Sequence, residues 1–86
     1  MKLLLCKECQ QVFSISYDVR SCHCGASRGQ YAEDGLHATY SGPCIPLGFS
    51  NNSFLDALRQ RPSTGMGERF TAFVIPEDCY TFRKEE

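Results

Sequence analysis

The amino-acid sequence predicts an α+β fold: a small antiparallel β-sheet, one short α-helix and a cysteine-based metal site near the N-terminus. Three observations predict it. Several segments alternate apolar and polar residues with a period of two, as half-buried strands do. A single segment carries the start and stop signals of a helix. Four of the six cysteines stand in two tight clusters within the first 25 residues.

The length of the chain bounds its organisation. Eighty-six residues make one small domain, which buries only about 60% of the surface that its unfolded chain exposes. A metal or covalent staple is therefore expected to stabilise it. We predict a single domain over residues 1–86, with a cysteine-bearing part at 1–28. Residues 29–86 are expected to hold a β-hairpin, the helix and a C-terminal strand.

The first strand candidates are Leu3–Leu5 and Val12–Tyr17, which flank the first cysteine pair. In the second of them, apolar residues alternate with serines. The turn between the two would join antiparallel strands. Further along, Asp34-Gly35 predicts a hairpin with a type I′ turn, which needs positive φ at both central residues. Residues 69–75, RFTAFVI, predict a strand that Pro76 ends.

Residues 41–49, SGPCIPLGF, predict an extended and irregular crossing that packs on the core. Pro43 and Pro46 remove backbone donors there. The helix is expected next, because Ser53 and Asp56 have the spacing of a capping box and Pro62 stops the pattern. Its apolar stripe would consist of Phe54, Ala57 and Leu58.

The cysteine clusters are Cys6-x-x-Cys9 and Cys22-x-Cys24, separated by twelve residues. Structural Zn²⁺ takes four tetrahedral ligands, which are commonly all thiolates. Two chelating turns held together by a sheet supply that arrangement. Because such a site has no open position for water, it is structural rather than hydrolytic. The predicted cofactor is one structural Zn²⁺.

The segment from Leu3 to about Arg28, with its CKEC and CHCG clusters, resembles the zinc-ribbon family. The resemblance implies two metal-binding turns at hairpin tips. The sequence departs from the family in the single residue between Cys22 and Cys24, and in Gln10, where a glycine often stands. The segments LLCKECQQVFSIS, SCHCG and YSGPCIPLGFSNNSF also resemble small cysteine-rich proteins of bacteria and their phages, a resemblance that implies no activity.

Several alternatives for the cysteines stay open. The two clusters can form disulfides, or His23 can replace one cysteine of the second cluster. A redox role for Cys6-x-x-Cys9 would require a βαβ setting, whereas the flanks here are strand-like. Cys44 and Cys79 are expected to be buried free thiols, although they can pair as a disulfide. A catalytic Cys44 would need a histidine base.

Charge limits the classes of partner. Nine basic and ten acidic residues give a net charge of −1, which provides little general attraction to nucleic acid. The apolar run at the start of the chain is too short for a signal peptide, and no run reaches the about 20 residues of a membrane span. We therefore expect a cytoplasmic protein with no membrane contact. The Glu33-Asp34 and Glu77-Asp78 pairs are expected in exposed turns, without the burial that shifts a pKa.

These observations predict a non-enzymatic, zinc-stabilised binding module that engages a protein partner. No residue is assigned a catalytic role. The first alternative is nucleic-acid binding through the basic residues of the N-terminal part, Lys2, Lys7, Arg20 and Arg28. The second is a small enzyme that uses Cys44 or a cleft near His37. The oligomeric state is left open. The candidate partner-binding residues are Ile45, Leu47, Phe49, Asn51, Asn52, Arg59, Arg61 and Arg69.

Overall fold

A computed structural model describes residues 1–85 of the protein. Glu86, the last residue of the predicted domain, lies outside the described residues. The described chain contains one helix, α1, and eight strands, β1 to β8. In chain order they are β1 Lys2–Cys6, β2 Val12–Ser14, β3 Arg20–Ser21, β4 Arg28–Tyr31, β5 Ala38–Ser41, β6 Cys44–Phe49, α1 Asn51–Arg59, β7 Ala72–Val74 and β8 Phe82–Lys84.

The strands form two four-stranded sheets, with the orders β2-β1-β6-β7 and β3-β4-β5-β8. Every pairing is antiparallel except that of β5 with β8, which is parallel. The predicted α+β class is confirmed. The chain departs from the prediction in dividing its strands between two sheets and in adding β8 to the second of them.

The hydrophobic core contains buried residues from both sheets. Leu4 on β1 is fully buried, as is Phe82 on β8, and Phe82 meets Tyr40 edge to face with ring centroids 5.1 Å apart. Gly29 on β4 lies directly against Leu4, because a Cβ added at Gly29 would fall 2.9 Å from the Leu4 Cδ1. The two sheets therefore pack closely where this glycine lacks a side chain.

The crossing predicted at residues 41–49 is instead a central strand, β6, which pairs with both β1 and β7. Pro46 is tolerated there because of its place in the ladder. In the β1–β6 ladder, the Lys7 amide donates to the Pro43 carbonyl and the Phe49 amide donates to the Met1 carbonyl. Because hydrogen-bonded and non-hydrogen-bonded pairs alternate along antiparallel strands, Leu4–Pro46 is a non-hydrogen-bonded pair. Pro46 therefore needs no amide donor toward β1. On the other side, the Pro46 carbonyl accepts from the Ile75 amide at 2.9 Å. Because Pro46 has no amide, the return bond to Ile75, just beyond the end of β7, is the hydrogen bond that this ladder loses.

The predicted helix exists, but its start was wrongly predicted. It begins at Asn51, and its N-cap is Ser50, whose side chain makes no capping bond. The Ser53 hydroxyl instead accepts a hydrogen bond from the Thr71 amide at 2.7 Å. Within the predicted stripe, Ala57 is buried, whereas Leu58 is 53% exposed. The capping-box prediction failed because Ser53 is already inside the helix and serves the segment that leads into β7.

Three phenylalanines hold α1 and the returning segment onto β6. Phe70 meets the rings of Phe49 and Phe54 edge to face, at centroid separations of 5.0 and 4.9 Å. This placement draws Phe70 away from the ladder, so the strand predicted over residues 69–75 is reduced to Ala72–Val74. Aromatic packing thus replaces strand pairing in this segment.

The predicted hairpin joins β4 and β5, and its register centres on Asp34-Gly35. The predicted type I′ turn is wrong, because Gly35 has a φ of +70° but Asp34 does not have a positive φ. The Asp34 carboxylate instead accepts hydrogen bonds from the amides of Leu36 and His37 and contacts the His37 ring nitrogen. The His37 amide, the His37 ring and the Leu36 amide together hold the pKa of Asp34 at about 2. The carboxyl is exposed, as predicted, but hydrogen bonds shift its pKa without burial.

Candidate metal centre

The four predicted ligands come together in one cluster. The Sγ atoms of Cys6, Cys9, Cys22 and Cys24 all lie within 4.8 Å of one another. Cys24 Sγ lies 3.7 Å from Cys6 Sγ and 3.4 Å from Cys22 Sγ. Four thiolates about 2.3 Å from a tetrahedral Zn²⁺ would be separated by about 3.8 Å. The cluster therefore has the ligand number and spacing of a site that can hold a metal ion.

The first cysteine turn connects β1 to β2. Cys6 ends β1, and its amide donates to the Gln11 carbonyl at 2.9 Å. The Gln10 amide donates to the Cys6 carbonyl at 2.8 Å. Gln10 has a φ of +62°, the left-handed conformation that glycine adopts most easily. Gln10 thus adopts the backbone conformation for which glycine is usually required in a tight turn.

The second cysteine turn follows β3. Its tightness depends on Gly25, which has a φ of +78° and donates its amide to the Cys22 carbonyl at 3.1 Å. The Ser27 amide points at the Cys22 sulfur, 3.4 Å away. The His23 amide donates to the Gln11 side chain and so links the two turns. The group of ligand atoms consists of four sulfurs and does not include His23.

Crowding four sulfurs together affects their acidity. Burial raises the pKa of the Cys22 thiol, but the Ser27 amide and the neighbouring thiols outweigh it and lower that pKa to about 6. The Ala26 amide lowers the pKa of Cys24, but the Cys22 sulfur and burial raise it overall, to about 12. Negative charge on one sulfur thus opposes charge on the next. A bound cation removes that conflict, because metal coordination stabilises every thiolate at once.

All six cysteines are free thiols, and Cys44 and Cys79 are half-buried rather than fully buried. Cys44 stands directly opposite Cys6 in the β1–β6 ladder, and burial raises the pKa of its thiol. It lines a cavity of about 350 Å³ whose walls contain no histidine that would serve as a base. The Thr81 hydroxyl, 3.3 Å from the Cys79 sulfur, lowers the pKa of Cys79.

The candidate partner-binding residues lie in two regions. Ile45, Leu47 and Phe49 are half-buried on β6, whereas the candidate asparagines and arginines are exposed on or near α1. Arg61 lines a cavity of about 260 Å³ between α1 and the following loop. Arg59 forms a surface ion pair with Asp56 at 3.2 Å. The exposed members are Asn51, Asn52, Arg59, Arg61 and Arg69.

Three of the four basic residues considered for nucleic-acid binding make separate local contacts through their side chains. The Lys2 ammonium donates to the Leu36 carbonyl. Arg20 donates to the Ser14 hydroxyl on β2 of the other sheet, and Arg28 donates to the Ser41 hydroxyl on the adjacent strand β5. In the β3–β4 register, Arg20 pairs with Gly29 and Arg28 with Ser21, so the two arginines project from opposite faces of the sheet. This arrangement does not present them as one cationic surface.

Comparison with known proteins adds no relative: no protein-family model, no curated protein and no solved structure matches the chain. The comparisons therefore give no support to the resemblance to bacterial and phage proteins. Within residues 1–85, no helix is long and apolar enough to cross a membrane. The four-sulfur cluster is accordingly the feature from which a function has to be inferred.

Proposed function

We propose that Cys6, Cys9, Cys22 and Cys24 bind one structural Zn²⁺. The observation that carries the proposal is the approach of all four sulfurs to within 4.8 Å. Soft thiolate ligands in a four-coordinate arrangement favour zinc over oxygen-preferring cations. The first two cysteines adjoin the sheet that contains β1 and β2, and the last two follow β3 of the other sheet. The ion would therefore fasten the two sheets together at one end.

Substitution with Co²⁺ tests this site. Co²⁺ in a four-thiolate tetrahedron gives intense visible bands and sulfur-to-metal charge-transfer bands, and we expect stoichiometric Zn²⁺ to abolish both. Changing the exposed ligand Cys24→Ser should weaken the charge-transfer bands, whereas Cys79→Ser, outside the cluster, should leave them unchanged. A weak octahedral spectrum from the unchanged protein would contradict the proposal.

The part of the protein that this site stabilises presents an aliphatic face, which we propose as the surface for a protein partner. It lies on the outer side of the β2-β1-β6-β7 sheet. Alternate residues of a strand point to opposite faces, and Leu4 and Cys6 point into the core. Their neighbours point outward. The registers align the outward residues into cross-strand rows, and the aliphatic face consists of Leu3, Leu5, Val12, Ile45, Leu47 and Val74.

The chemistry of this face favours a protein. Its edges are open, with Val12 51% and Val74 67% exposed, whereas Leu3 on the inner strand β1 is buried. An aliphatic surface that reaches solvent at its edges is typical of protein–protein contacts. Nucleic acid would instead require aligned cations or stacking aromatics, which the six residues of the aliphatic face do not provide. We therefore propose a binding module that docks a partner protein through matching apolar side chains, with the cysteine-bound zinc holding the sheet that presents them.

Site-specific photocrosslinking tests the docking surface. A photoreactive amino acid at Val74 should crosslink one distinct partner protein in cell extract. The same group at Met66, which is fully exposed on the loop after α1, should not. Val12→Glu on the far edge of the face should abolish the Val74 crosslink without unfolding the chain. Equal crosslinking from both sites, a product containing a second copy of this chain, or a nucleic-acid adduct would each contradict the proposal.

A further inference from the structure

Ser27 is a buried polar residue without a partner. Its side chain is fully buried, and its hydroxyl oxygen is the one buried side-chain nitrogen or oxygen within residues 1–85 that lacks a hydrogen bond. Buried hydroxyl groups are ordinarily satisfied, because leaving one unpaired costs its hydration free energy. The hydroxyl of Ser27 therefore requires an explanation beyond packing.

The residue occupies the junction between the second cysteine turn and the β1–β6 ladder. Its carbonyl accepts from the Cys22 amide at 2.9 Å, and its own amide points at the Cys22 sulfur. Gly42, which precedes β6, presses against it from the other side: a Cβ on Gly42 would lie 2.9 Å from the Ser27 Cα. The backbone of Ser27 is thus fixed from two directions.

The hydroxyl is buried next to the four-sulfur cluster, because the Ser27 amide lies 3.4 Å from Cys22 Sγ and Cys22 Sγ lies within 4.8 Å of Cys6 Sγ. Cys44, which stands opposite Cys6 in the β1–β6 ladder, is the other thiol close to this junction. Cys44 already has an acceptor, since its sulfur contacts the Ser41 carbonyl at 3.6 Å. Cys6 is fully buried, so water cannot reach its sulfur to solvate a charge there.

We propose that Ser27 is a positioning residue for the metal site, and that its hydroxyl donates a hydrogen bond to the Cys6 thiolate when metal is bound. This inference rests on the proposed zinc site. A neutral thiol is a weak acceptor, whereas a metal-bound thiolate is a strong one. Ser27 would then support two ligands of the site, Cys22 through its amide and Cys6 through its hydroxyl. Such outer contacts orient metal ligands and strengthen binding.

The Ser27→Ala variant tests the proposal through two readouts that should respond differently. In metal-free protein the hydroxyl has no partner, so its removal should leave resistance to urea unchanged or increased. In competition with a chromophoric chelator, the variant should bind Zn²⁺ about 10- to 100-fold more weakly. Its Co²⁺ charge-transfer bands should also shift to lower energy, because an unbonded thiolate holds its electrons less tightly. Cys44→Ala is the matched control and should retain full affinity and an unshifted spectrum.

Three results would overturn the proposal. These are unchanged Zn²⁺ affinity in Ser27→Ala, an equal loss of affinity in Cys44→Ala, and a loss of metal-free stability that accounts for the weaker binding. If the unchanged protein binds no metal, the zinc proposal itself fails, and that result is distinct from the other three. NMR of the unchanged protein loaded with ¹¹³Cd²⁺ gives a second test that does not require the variant to fold. A slowly exchanging Ser27 hydroxyl proton coupled to the metal supports the inference, and a freely exchanging one contradicts it.

Discussion

Gly42 and Ala26 touch through their backbones: a Cβ on Gly42 would lie 2.0 Å from the Ala26 carbonyl oxygen. Gly42 also has a φ of +97°, which L side chains rarely adopt. The contact seats the second cysteine turn against the start of β6. Since β6 pairs Cys44 with Cys6, the same contact helps set the distance between the two cysteine turns.

Gly42→Ala should therefore be strongly destabilising. The left-handed conformation costs a non-glycine residue about 1–2 kcal/mol, and a Cβ in the path of a backbone oxygen adds about 1–3 kcal/mol. We expect a total loss of about 3 kcal/mol in the free energy of unfolding, measured by urea denaturation, together with weaker metal binding.

Gly65→Ala is the matched control for that substitution. Gly65 has nearly the same φ, +95°, but an added Cβ there meets no atom within 4 Å. It should lose only the conformational part, about 1 kcal/mol, and bind metal normally. Equal losses in the two variants would show that the Ala26 contact contributes nothing.

Gly29→Ala should weaken the packing of one sheet on the other. The new methyl would meet Leu4 Cδ1 and the Thr39 carbonyl oxygen, each 2.9 Å away, and overpacking of this kind costs about 1–3 kcal/mol. The loss should appear in urea denaturation of the metal-loaded protein. Arg28→Ala, at an exposed position on the same strand, should change stability by no more than about 0.5 kcal/mol. A Gly29 variant as stable as the Arg28 variant would contradict the close packing.

Acid should weaken the β4–β5 turn through Asp34. Hydrogen bonds from the His37 amide, the His37 ring and the Leu36 amide lower the pKa of this carboxyl from its ordinary 3.8 to about 2. The ionised carboxylate therefore stabilises the folded hairpin at pH values above 3.8. That contribution is lost as the pH falls through about 2. A ¹³C NMR titration of the Asp34 carboxyl should give the low value, and a midpoint near 4 would show that the turn bonds are absent in solution.

Removal of the metal should lower stability. A ligand that binds only the folded chain contributes about 4 kcal/mol when its free concentration is a thousand times its dissociation constant. Urea denaturation with Zn²⁺ and with excess chelator should differ by about that amount. In Cys24→Ser, the difference should shrink markedly. Identical unfolding curves for the unchanged protein in the two conditions would exclude a stabilising metal.

The sequence predicted those features that depend on neighbouring residues. The spacing of Cys6 and Cys9 and the position of Asp34-Gly35 each reflect a local turn, and both turns form where expected. The elements that depend on distant pairing were missed. Pro46 lacks an amide donor and so argued against a paired strand, yet the hydrogen bond that this costs lies at the end of the β6–β7 ladder. Phe82–Lys84 has no strong strand pattern and becomes β8 because β5 offers it a parallel edge.

The candidate site shows the same division. The four cysteines could be found from their spacing alone. Ser27 carries no sequence signal, because one serine among many is singled out only when the fold buries it beside the cysteine cluster. The aliphatic face was partly anticipated in Ile45 and Leu47. Its other members became evident only from the cross-strand register.

Native mass spectrometry of protein purified without added metal tests the central claim most directly. A single zinc ion shared by the four sulfurs predicts one zinc per chain in the unchanged protein. It also predicts full occupancy in Cys79→Ser and a marked loss of zinc in Cys24→Ser. Chains that carry no metal, or a zinc ion that Cys24→Ser retains as fully as the unchanged protein does, would contradict it.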